Sequence, residues 1–371
     1  MTGASTAIDV ALVALYLVAI LVLGWVRARR GAADEAGDYL LAGRMLTLPG
    51  FVATLVASGT AACWAWASIR TRTACPTGSH SEARYYVAGV IFALLLAKRA
   101  RASALTTVPE RLLRDHGPAV ATLGTLVVFL GAVPAPYVLM LGVLFGRIFG
   151  IGTAAGTIAA GVLSMLAVVG GGFRAIVRTN AVQFALMYGG FAIALVFALE
   201  AAGGVGALSS LPPAMLSWDG GLGLQAVLVW YVIALQTLVE PTFYQRCYAA
   251  RSPRTARNGV LVSVLFWMVF DALTTMTGML ARVLVPGLDA PIDAYPALAD
   301  QVLPPIVRGI FYVGLVATVM STVESYLFVA ATTLGYDVPL AWRAWRARRF
   351  AIDGEPAVIS GRVLRGRTMW A

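Results

Sequence analysis

The sequence predicts an all-α integral membrane protein, a bundle of about nine transmembrane helices. Hydrophobic residues make up 59% of the 371 residues and charged residues only 12%, whereas soluble domains carry about 25% charged residues. The apolar runs are long enough to cross a bilayer as helices, at ~20 residues per crossing. Short basic loops separate these runs, which favours a helical bundle over a β-barrel.

Nine apolar spans follow one another along the chain. They cover approximately residues 8–26, 45–66, 85–97, 120–148, 152–169, 181–199, 222–239, 260–285 and 306–334. The first resembles a signal peptide in length, but no basic segment precedes it and no small-residue cleavage site follows, so we expect a retained helix. We expect residues 1–340 to form the transmembrane domain and residues 341–371 to form a basic polar cytoplasmic tail.

Arginine and lysine residues accumulate in every second loop. The basic loops cover residues 27–44, 98–114, 174–178, 246–257 and 343–349, whereas residues 200–221 contain neither Lys nor Arg. Positively charged loops of membrane proteins are retained in the cytoplasm. We therefore expect a multi-pass protein of the plasma (inner) membrane with its N-terminus outside and its C-terminus inside. The same loops explain the net charge of +10 without a nucleic-acid partner.

Residues 63–84 depart from this pattern. They place three arginines, two cysteines and a histidine on the expected outer side: Arg70, Arg72, Arg84, Cys63, Cys75 and His80. One interpretation is a shift of reading frame across this segment, because a run of Gly, Met, Leu and Val would suit a helix better here. The other is a genuine extracellular loop. Both interpretations remain open from the sequence.

Features of an enzyme or of an ATP-driven pump are missing from the sequence. It contains no nucleotide-binding loop, and no nucleophile and base with catalytic spacing. Three cysteines and two histidines are too few and too scattered for a disulfide framework or a metal site built from Cys and His. We therefore expect no enzymatic activity.

The ninth span carries a polar cluster at the expected depth of the membrane centre. Ser321, Thr322, Glu324 and Ser325 interrupt its apolar run. Polar side chains are costly in hydrocarbon unless they are paired, and oxygen ligands can replace the water shell of a small, hard cation. The cluster therefore predicts part of a site for an alkali cation. Alternatively, the hydroxyls bond back to the preceding turn of their own helix.

Further polar and aromatic residues lie inside the spans. Asp271 and Glu324 are intramembrane carboxylates, which could pair with an Arg, bind a coupling ion or remain protonated; Asp271 could also form an inter-helix hydrogen bond. Trp230, Gln236 and Thr237 in the seventh span are candidates for contact with a substrate, although aromatic residues at this depth are often packing residues or interfacial anchors. Gln236 is the strongest candidate, because its amide needs both donors and acceptors.

The fourth span contains two prolines near its middle. Pro134 and Pro136 predict a local kink, because proline removes a helical hydrogen bond. Tyr137 follows this kink directly. We expect Tyr137 to line a substrate cavity.

Five short signatures resemble those of the sodium:solute symporter family, which includes proline, pantothenate and sodium-coupled sugar permeases. They occur in the family's order along the chain. They are residues 38–44 (DYLLAGR), 107–112 (TVPERL), 171–183 (beginning GGFRA, with Asn180 in place of the usual Asp), 245–250 (QRCYAA) and 320–325 (MSTVES).

This resemblance implies the LeuT-type inverted-repeat fold, in which five helices are repeated upside down after one extra N-terminal helix. Spans two to six would form the first repeat, and spans seven to nine the first three helices of a second, incomplete repeat. The implied function is sodium-coupled symport of a small polar solute across the plasma membrane. The alternatives are a transporter-like membrane sensor or a non-functional fragment of a symporter truncated after its ninth helix.

The resemblance also implies the sodium ligands. Ser321 and Thr322 would bind the ion through their hydroxyls, and Thr318 through its backbone carbonyl. The first helix of the first repeat would break near Gly59 and supply carbonyls near Leu55 and Ser58. Gly59 itself would contact the substrate. The alternative is that the small residues at this position only allow close helix packing.

Overall fold

The computed structural model describes residues 6–26, 36–59, 79–217, 223–287 and 290–350. Within these ranges the chain is almost entirely helical, and the only strand-like pairing is an isolated bridge between Leu46 and Ala250. Residues 60–78, which include most of the compositionally unusual segment and the end of the second predicted span, lie outside the described ranges.

The helices are numbered in chain order. They are α1 (Ala7–Val26), α2 (Ala36–Leu41), α3 (Leu48–Gly59), α4 (Ser79–Phe92, continued by a π-helical turn Ala93–Ala97 and by Lys98–Ala102), α5 (Val108–His116), α6 (Pro118–Ala132), α7 (Ala135–Phe149), α8 (Thr153–Val169), α9 (Gly172–Ala201), α10 (Gly223–Ala234), α11 (Pro241–Ala249), α12 (Pro253–Leu284), α13 (Ala294–Val302), α14 (Pro305–Thr332) and α15 (Val338–Phe350). A π-helical turn, Thr333–Asp337, joins α14 to α15.

The membrane spans agree with the sequence prediction of an all-α bundle. Six helical runs in the described ranges are long and apolar enough to cross a membrane, and α3 and α8 are shorter apolar helices. Helix α4 and its continuation to Ala102, which are not among these six, correspond to the third predicted span. The helices are generally longer than the apolar spans, because polar turns at their ends remain helical; α12, for example, begins at Pro253. The all-α class is confirmed.

Local sequence explains where several helices begin and end. Thr107 caps α5 by accepting a hydrogen bond from the Glu110 amide (3.1 Å), while the Glu110 carboxylate accepts one from the Thr106 amide (2.6 Å). This exchange resembles a capping box, with Glu110 bonded to the amide of the residue before the cap, so the TVPERL signature encodes the start of a helix. The kink predicted in the fourth span is also present: α6 ends at Ala132, and α7 begins at Ala135.

Helix α14 lies at the centre of the bundle. In an apolar 18-residue stretch of the span that contains it, 83% of the residues are buried inside the protein, against 28–44% for the matching stretches of the other five long spans. It packs against α9, α1, α7 and α3. It lies close to α9 at Gly190 and Gly314, where a Cβ atom built on Gly190 would lie 3.4 Å from the Gly314 Cα. Small residues are what allow helix backbones to approach so closely in membranes.

Several basic segments of the chain meet at one end of the bundle, called the basic end below. Contacts between distant residues join them. These contacts are Arg44 to the Ala104 carbonyl (2.7 Å), Arg101 to the Ala250 carbonyl, Arg174 to Asp38, and the Leu46 amide to the Ala249 carbonyl (3.0 Å). The sequence predicted these segments to share one side of the membrane, and the fold places them together.

The opposite end of the bundle contains a network of ion pairs. Arg308 at the start of α14 binds the fully buried Asp9 of α1 (2.7 Å) and lies 3.6 Å from Asp300 of α13. Arg147 of α7 also binds Asp300 (2.7 Å) and Asp293 (3.2 Å). The network therefore connects α1, α7, α13 and α14 at the end remote from the basic segments.

Candidate cation site

The two hydroxyls predicted to bind sodium meet the backbone of α3. Ser321 donates to the carbonyls of Ala57 (2.8 Å) and Thr318 (3.0 Å), and Thr322 lies 3.4 Å from the same two oxygens. All four residues are at most 1% exposed. Ser321, Thr322 and the Thr318 carbonyl thus lie together, and their role as sodium ligands stays a prediction.

The contribution of α3 differs in detail from the expectation. The sequence pointed to carbonyls near Leu55 and Ser58, and the structure places the Ala57 carbonyl directly against Ser321. The Ser58 hydroxyl bonds to the Leu55 carbonyl (2.9 Å), so these two residues lie one step away, in the same turn. The sequence did not single out the Ala57 carbonyl, because an alanine side chain does not indicate a cation ligand. Only the neighbouring Ser58 and Gly59 pointed to this turn.

The chemistry of this cluster fits a small monovalent cation. The potential ligands are two hydroxyl and two carbonyl oxygens, the neutral oxygen ligands that hard cations accept. In this structure the hydroxyls satisfy the carbonyls, which avoids unpaired polar groups inside the bundle. The alternative drawn from the sequence, back-bonding within one helix, is only part of the arrangement, because Ser321 and Thr322 also reach α3.

A second polar layer lies one turn further along α14. Glu324 accepts a hydrogen bond from Thr179 (3.2 Å), and Asn180 donates to Thr54 (2.9 Å). Gln183 donates to the Tyr16 hydroxyl (3.1 Å). One oxygen each of Glu324, Asn180 and Gln183 has no hydrogen-bond partner among the described residues. Glu324 is thus paired with the Thr179 hydroxyl and with no arginine of the described chain.

A buried arginine completes this layer. Arg246 has 0% exposure and donates to Ser325 (2.8 Å), to Gln245 (3.1 Å) and, more weakly, to the carbonyl of Thr242 (3.3 Å) and the hydroxyl of Thr54 (3.4 Å). The sequence assigned Arg246 to a basic loop. Its position in the QRCYAA signature was the only signal that it differs from the exposed loop arginines.

The other intramembrane carboxylate forms a contact between helices. Asp271 of α12 accepts a hydrogen bond from the Tyr86 hydroxyl of α4. This is the inter-helix hydrogen bond that the sequence left as one alternative for Asp271. The contact ties the second helix of each repeat together.

The predicted substrate-binding residues do not all meet in one place. Tyr137 lies against Tyr326 of α14, with ring centroids 5.7 Å apart. Trp230 packs against the guanidinium of Arg84 at 4.5 Å, and Gln236 is exposed. Residues 235–239, which include the buried Thr237, form a 3₁₀ turn that separates α10 from α11, so the helix of the seventh span is interrupted there.

Gly59 lies close to an aromatic side chain of α12. A Cβ atom at this position would be 3.1 Å from the Trp267 ring. The Trp267 indole also donates to the Val56 carbonyl (3.3 Å). Gly59 and Trp267 therefore lie beside the turn of α3 that contacts Ser321.

Comparison with known proteins identifies the family. The family model described as the sodium:solute symporter family matches residues 32–348. The chain belongs to this family. It is 27% identical over 179 residues to the sodium/pantothenate symporter of Haemophilus influenzae, which covers 46% of this chain and 37% of that protein. It is 24% identical over 399 residues to the sodium/mannose cotransporter SLC5A10 of Bos taurus, covering 92% of this chain and 65% of that protein.

The chain spans less than two thirds of the length of these two curated relatives. A solved structure, described as the substrate-bound outward-open state of a Na⁺-coupled sialic acid symporter, matches 98% of this chain and 78% of its own, with a TM-score of 0.82 at 14% identity. At this identity the match concerns the fold. It confirms the LeuT-type bundle that the five signatures implied.

Proposed function

We propose that this symporter-family chain uses a sodium gradient to carry a small polar solute across the plasma membrane. The observation that carries the proposal is the contact of Ser321 and Thr322 with the Ala57 and Thr318 carbonyls. This contact joins the first helix of one repeat, α3, to the third helix of the other, α14. In folds of this type, broken helices at the repeat interface supply backbone oxygens to the coupling ion.

Sodium would replace the hydrogen bonds that now hold this cluster together. The hydroxyls of Ser321 and Thr322 would turn their lone pairs to the ion, and the carbonyls of Ala57 and Thr318 would bind it from the other side. Leu55 and Ser58, in the same turn of α3, would adjust to complete its shell. An ion bound by both repeats stabilises the conformation in which α3 and α14 are in contact. We take this conformation to be outward-open.

The relatives support a small polar solute as the cargo. Their names specify pantothenate, mannose and myo-inositol. We place the solute beside the cation cluster, within reach of Gly59 of α3 and Tyr137 of α7. Thr237, Gln236 and Trp230 belong to the interrupted seventh span and would contact the solute only after that span moves.

The sodium site predicts a loss of ion-dependent stabilisation in Ser321→Ala/Thr322→Ala. Sodium should stabilise the wild-type chain by roughly 2.7 kcal/mol at 100 times its Kd, because it binds only the folded state. The double variant should lose the part of this response that comes from the Ser321–Thr322 cluster. The measurement is thermal unfolding of the purified protein in sodium and in potassium at equal ionic strength.

Ser209→Ala/Ser210→Ala is the matched control. These hydroxyls also bond back to their own turn, at 2.7 Å each, but lie exposed at the opposite end of the bundle from the basic segments. This variant should keep the sodium response. An unresponsive wild type, or equal responses in the wild type and Ser321→Ala/Thr322→Ala, would contradict the site.

We further propose that the basic end faces the cytoplasm, with the N-terminus outside. The gathering of the basic segments at one end supports this orientation. In a chain without its native cysteines, Ser209→Cys should react with a membrane-impermeant maleimide in intact cells, whereas Arg254→Cys should react only after permeabilisation. The reverse pattern would overturn the orientation.

A further inference from the structure

A small cavity at the basic end has an apolar wall into which several oxygen-bearing side chains are set, none of them part of the Ser321–Thr322 cluster. It lies between α5, α11 and the end of α14, and its volume of about 30 Å³ accommodates one occupant of the size of a water molecule. The oxygen-bearing side chains include Thr107, Tyr248, Thr332, Thr333 and Asp337.

Three of these side chains have polar atoms without a partner. The Asp337 Oδ2, the Thr332 Oγ1 and the Tyr248 hydroxyl make no hydrogen bond within the described residues. Their residues are 2%, 5% and 1% exposed. Buried polar groups are normally hydrogen-bonded, so three unsatisfied oxygens around one cavity point to a polar occupant.

Two carboxyl groups lie at or beside the cavity. Asp337 accepts a hydrogen bond from the Thr107 hydroxyl through its other oxygen, and no ion pair to Asp337 is formed by the described arginines and lysine. Glu110 adds a second carboxylate at the start of α5. A water molecule would satisfy the hydrogen bonds but would leave an ionised Asp337 uncompensated, so a carboxyl buried here takes up either a proton or a cation.

The nearby cations are engaged elsewhere. Arg111 pairs with Asp115 (3.3 Å), and Arg44 donates to the carbonyls of Ala104 (2.7 Å) and Leu105 (3.2 Å). The cavity therefore offers oxygen ligands and one buried carboxyl group, and neither Arg111 nor Arg44 serves as its counter-ion. This is the ligand chemistry of a hard cation.

We propose that this cavity binds one small monovalent cation, sodium in the cell, with Asp337 as its charged ligand. This site is separate from the Ser321–Thr322 cluster, because 16 residues of continuous helix place Asp337 roughly 24 Å away along the axis. A cation here would join Thr107 at the start of α5 to Asp337 at the end of α14. It would thereby fasten a basic-end helix to the central helix.

Equilibrium dialysis with ²²Na⁺ tests the site directly on the full chain in lipid nanodiscs. At saturation the wild type should bind two ions, one in each site. Asp337→Asn should bind one, because its amide can still accept from Thr107 but carries no charge. Ser321→Ala/Thr322→Ala should also bind one, and the triple variant none. Asp115→Asn, which removes an exposed carboxylate at the other end of α5, should still bind two.

Each result decides between the two sites. Asp337→Asn binding as many ions as the wild type would overturn the cavity site and leave water as its occupant. A single ion lost only in Ser321→Ala/Thr322→Ala would overturn it too, with the proposed function intact. A single ion lost only in Asp337→Asn would support the cavity and remove the proposed cation cluster. No bound sodium at all would overturn both.

A second variant covers the case in which Asp337→Asn does not fold. Thr332→Val has nearly the same shape as the wild-type residue and removes only the unpartnered hydroxyl. We expect it to weaken binding of the second ion at least severalfold while the first ion binds unchanged. Unchanged binding of both ions would contradict the cavity site.

Discussion

Arg308→Met should lower the free energy of unfolding by about 3–5 kcal/mol, the usual cost of removing one partner from a buried ion pair. Asp9 is 0% exposed, and Arg308 donates to it through two nitrogens at 2.7 and 3.1 Å. Without the guanidinium, Asp9 keeps only its bonds to Thr6. Asp300 would also lose a nearby positive charge, so the contacts among α1, α13 and α14 should weaken together.

Unfolding in mixed micelles of increasing SDS content measures this loss. Arg111→Met is the matched control, because Arg111 pairs with Asp115 at the surface, with side chains 43% and 34% exposed; this change should cost no more than about 1 kcal/mol. Adding Asp9→Asn to Arg308→Met should restore part of the stability, since no buried charge then remains in that pair. Similar costs for the two single variants would show that the network is not buried in the membrane-embedded protein.

Gly142→Ala should destabilise the bundle by about 3 kcal/mol, at the upper end of the range for overpacking. Its new Cβ would lie 2.1 Å from the Thr157 Oγ1 and 2.6 Å from the Thr157 Cα on the facing helix α8. The contact is reciprocal, because a Cβ on Gly156 would lie 2.3 Å from the Gly142 carbonyl oxygen. Backbone atoms cannot move aside as a side chain can, so α7 and α8 must separate.

Gly189→Ala provides the control for this prediction. Gly189 also lies inside a helix, but it is exposed and nothing lies within 4 Å of a Cβ at this position. Alanine has a higher helix propensity than glycine, so this variant should be neutral or more stable by up to about 1 kcal/mol. The same SDS titration compares the two variants, and equal stabilities would refute the close approach of α7 and α8.

Composition and local pattern were sufficient to predict the class, most helix positions and one half of the cation cluster. The exceptional nature of Ser321 and Thr322 followed from residues 306–334 alone, because hydroxyls interrupt an apolar run there. The position of α14 in the interior did not, since three less buried spans are more apolar. The capping hydrogen bonds at Thr107 and the kink before Tyr137 are local as well, because their causes lie within a few residues. The origin of residues 63–78, by contrast, stays open, since the described chain does not include them.

Only the tertiary structure determines which distant residues contact one another. The Ala57 carbonyl faces Ser321 across 264 positions of sequence, and Asp9 meets Arg308 across 299. From the sequence, Arg246 belongs to a loop and Asp337 to the end of a helix. The packing of α11, α5 and α14 buries both. Hydropathy shows which segments lie in the membrane. It does not show which side of an all-apolar helix packs against its neighbours. The partners of each polar group are therefore fixed only when the helices pack.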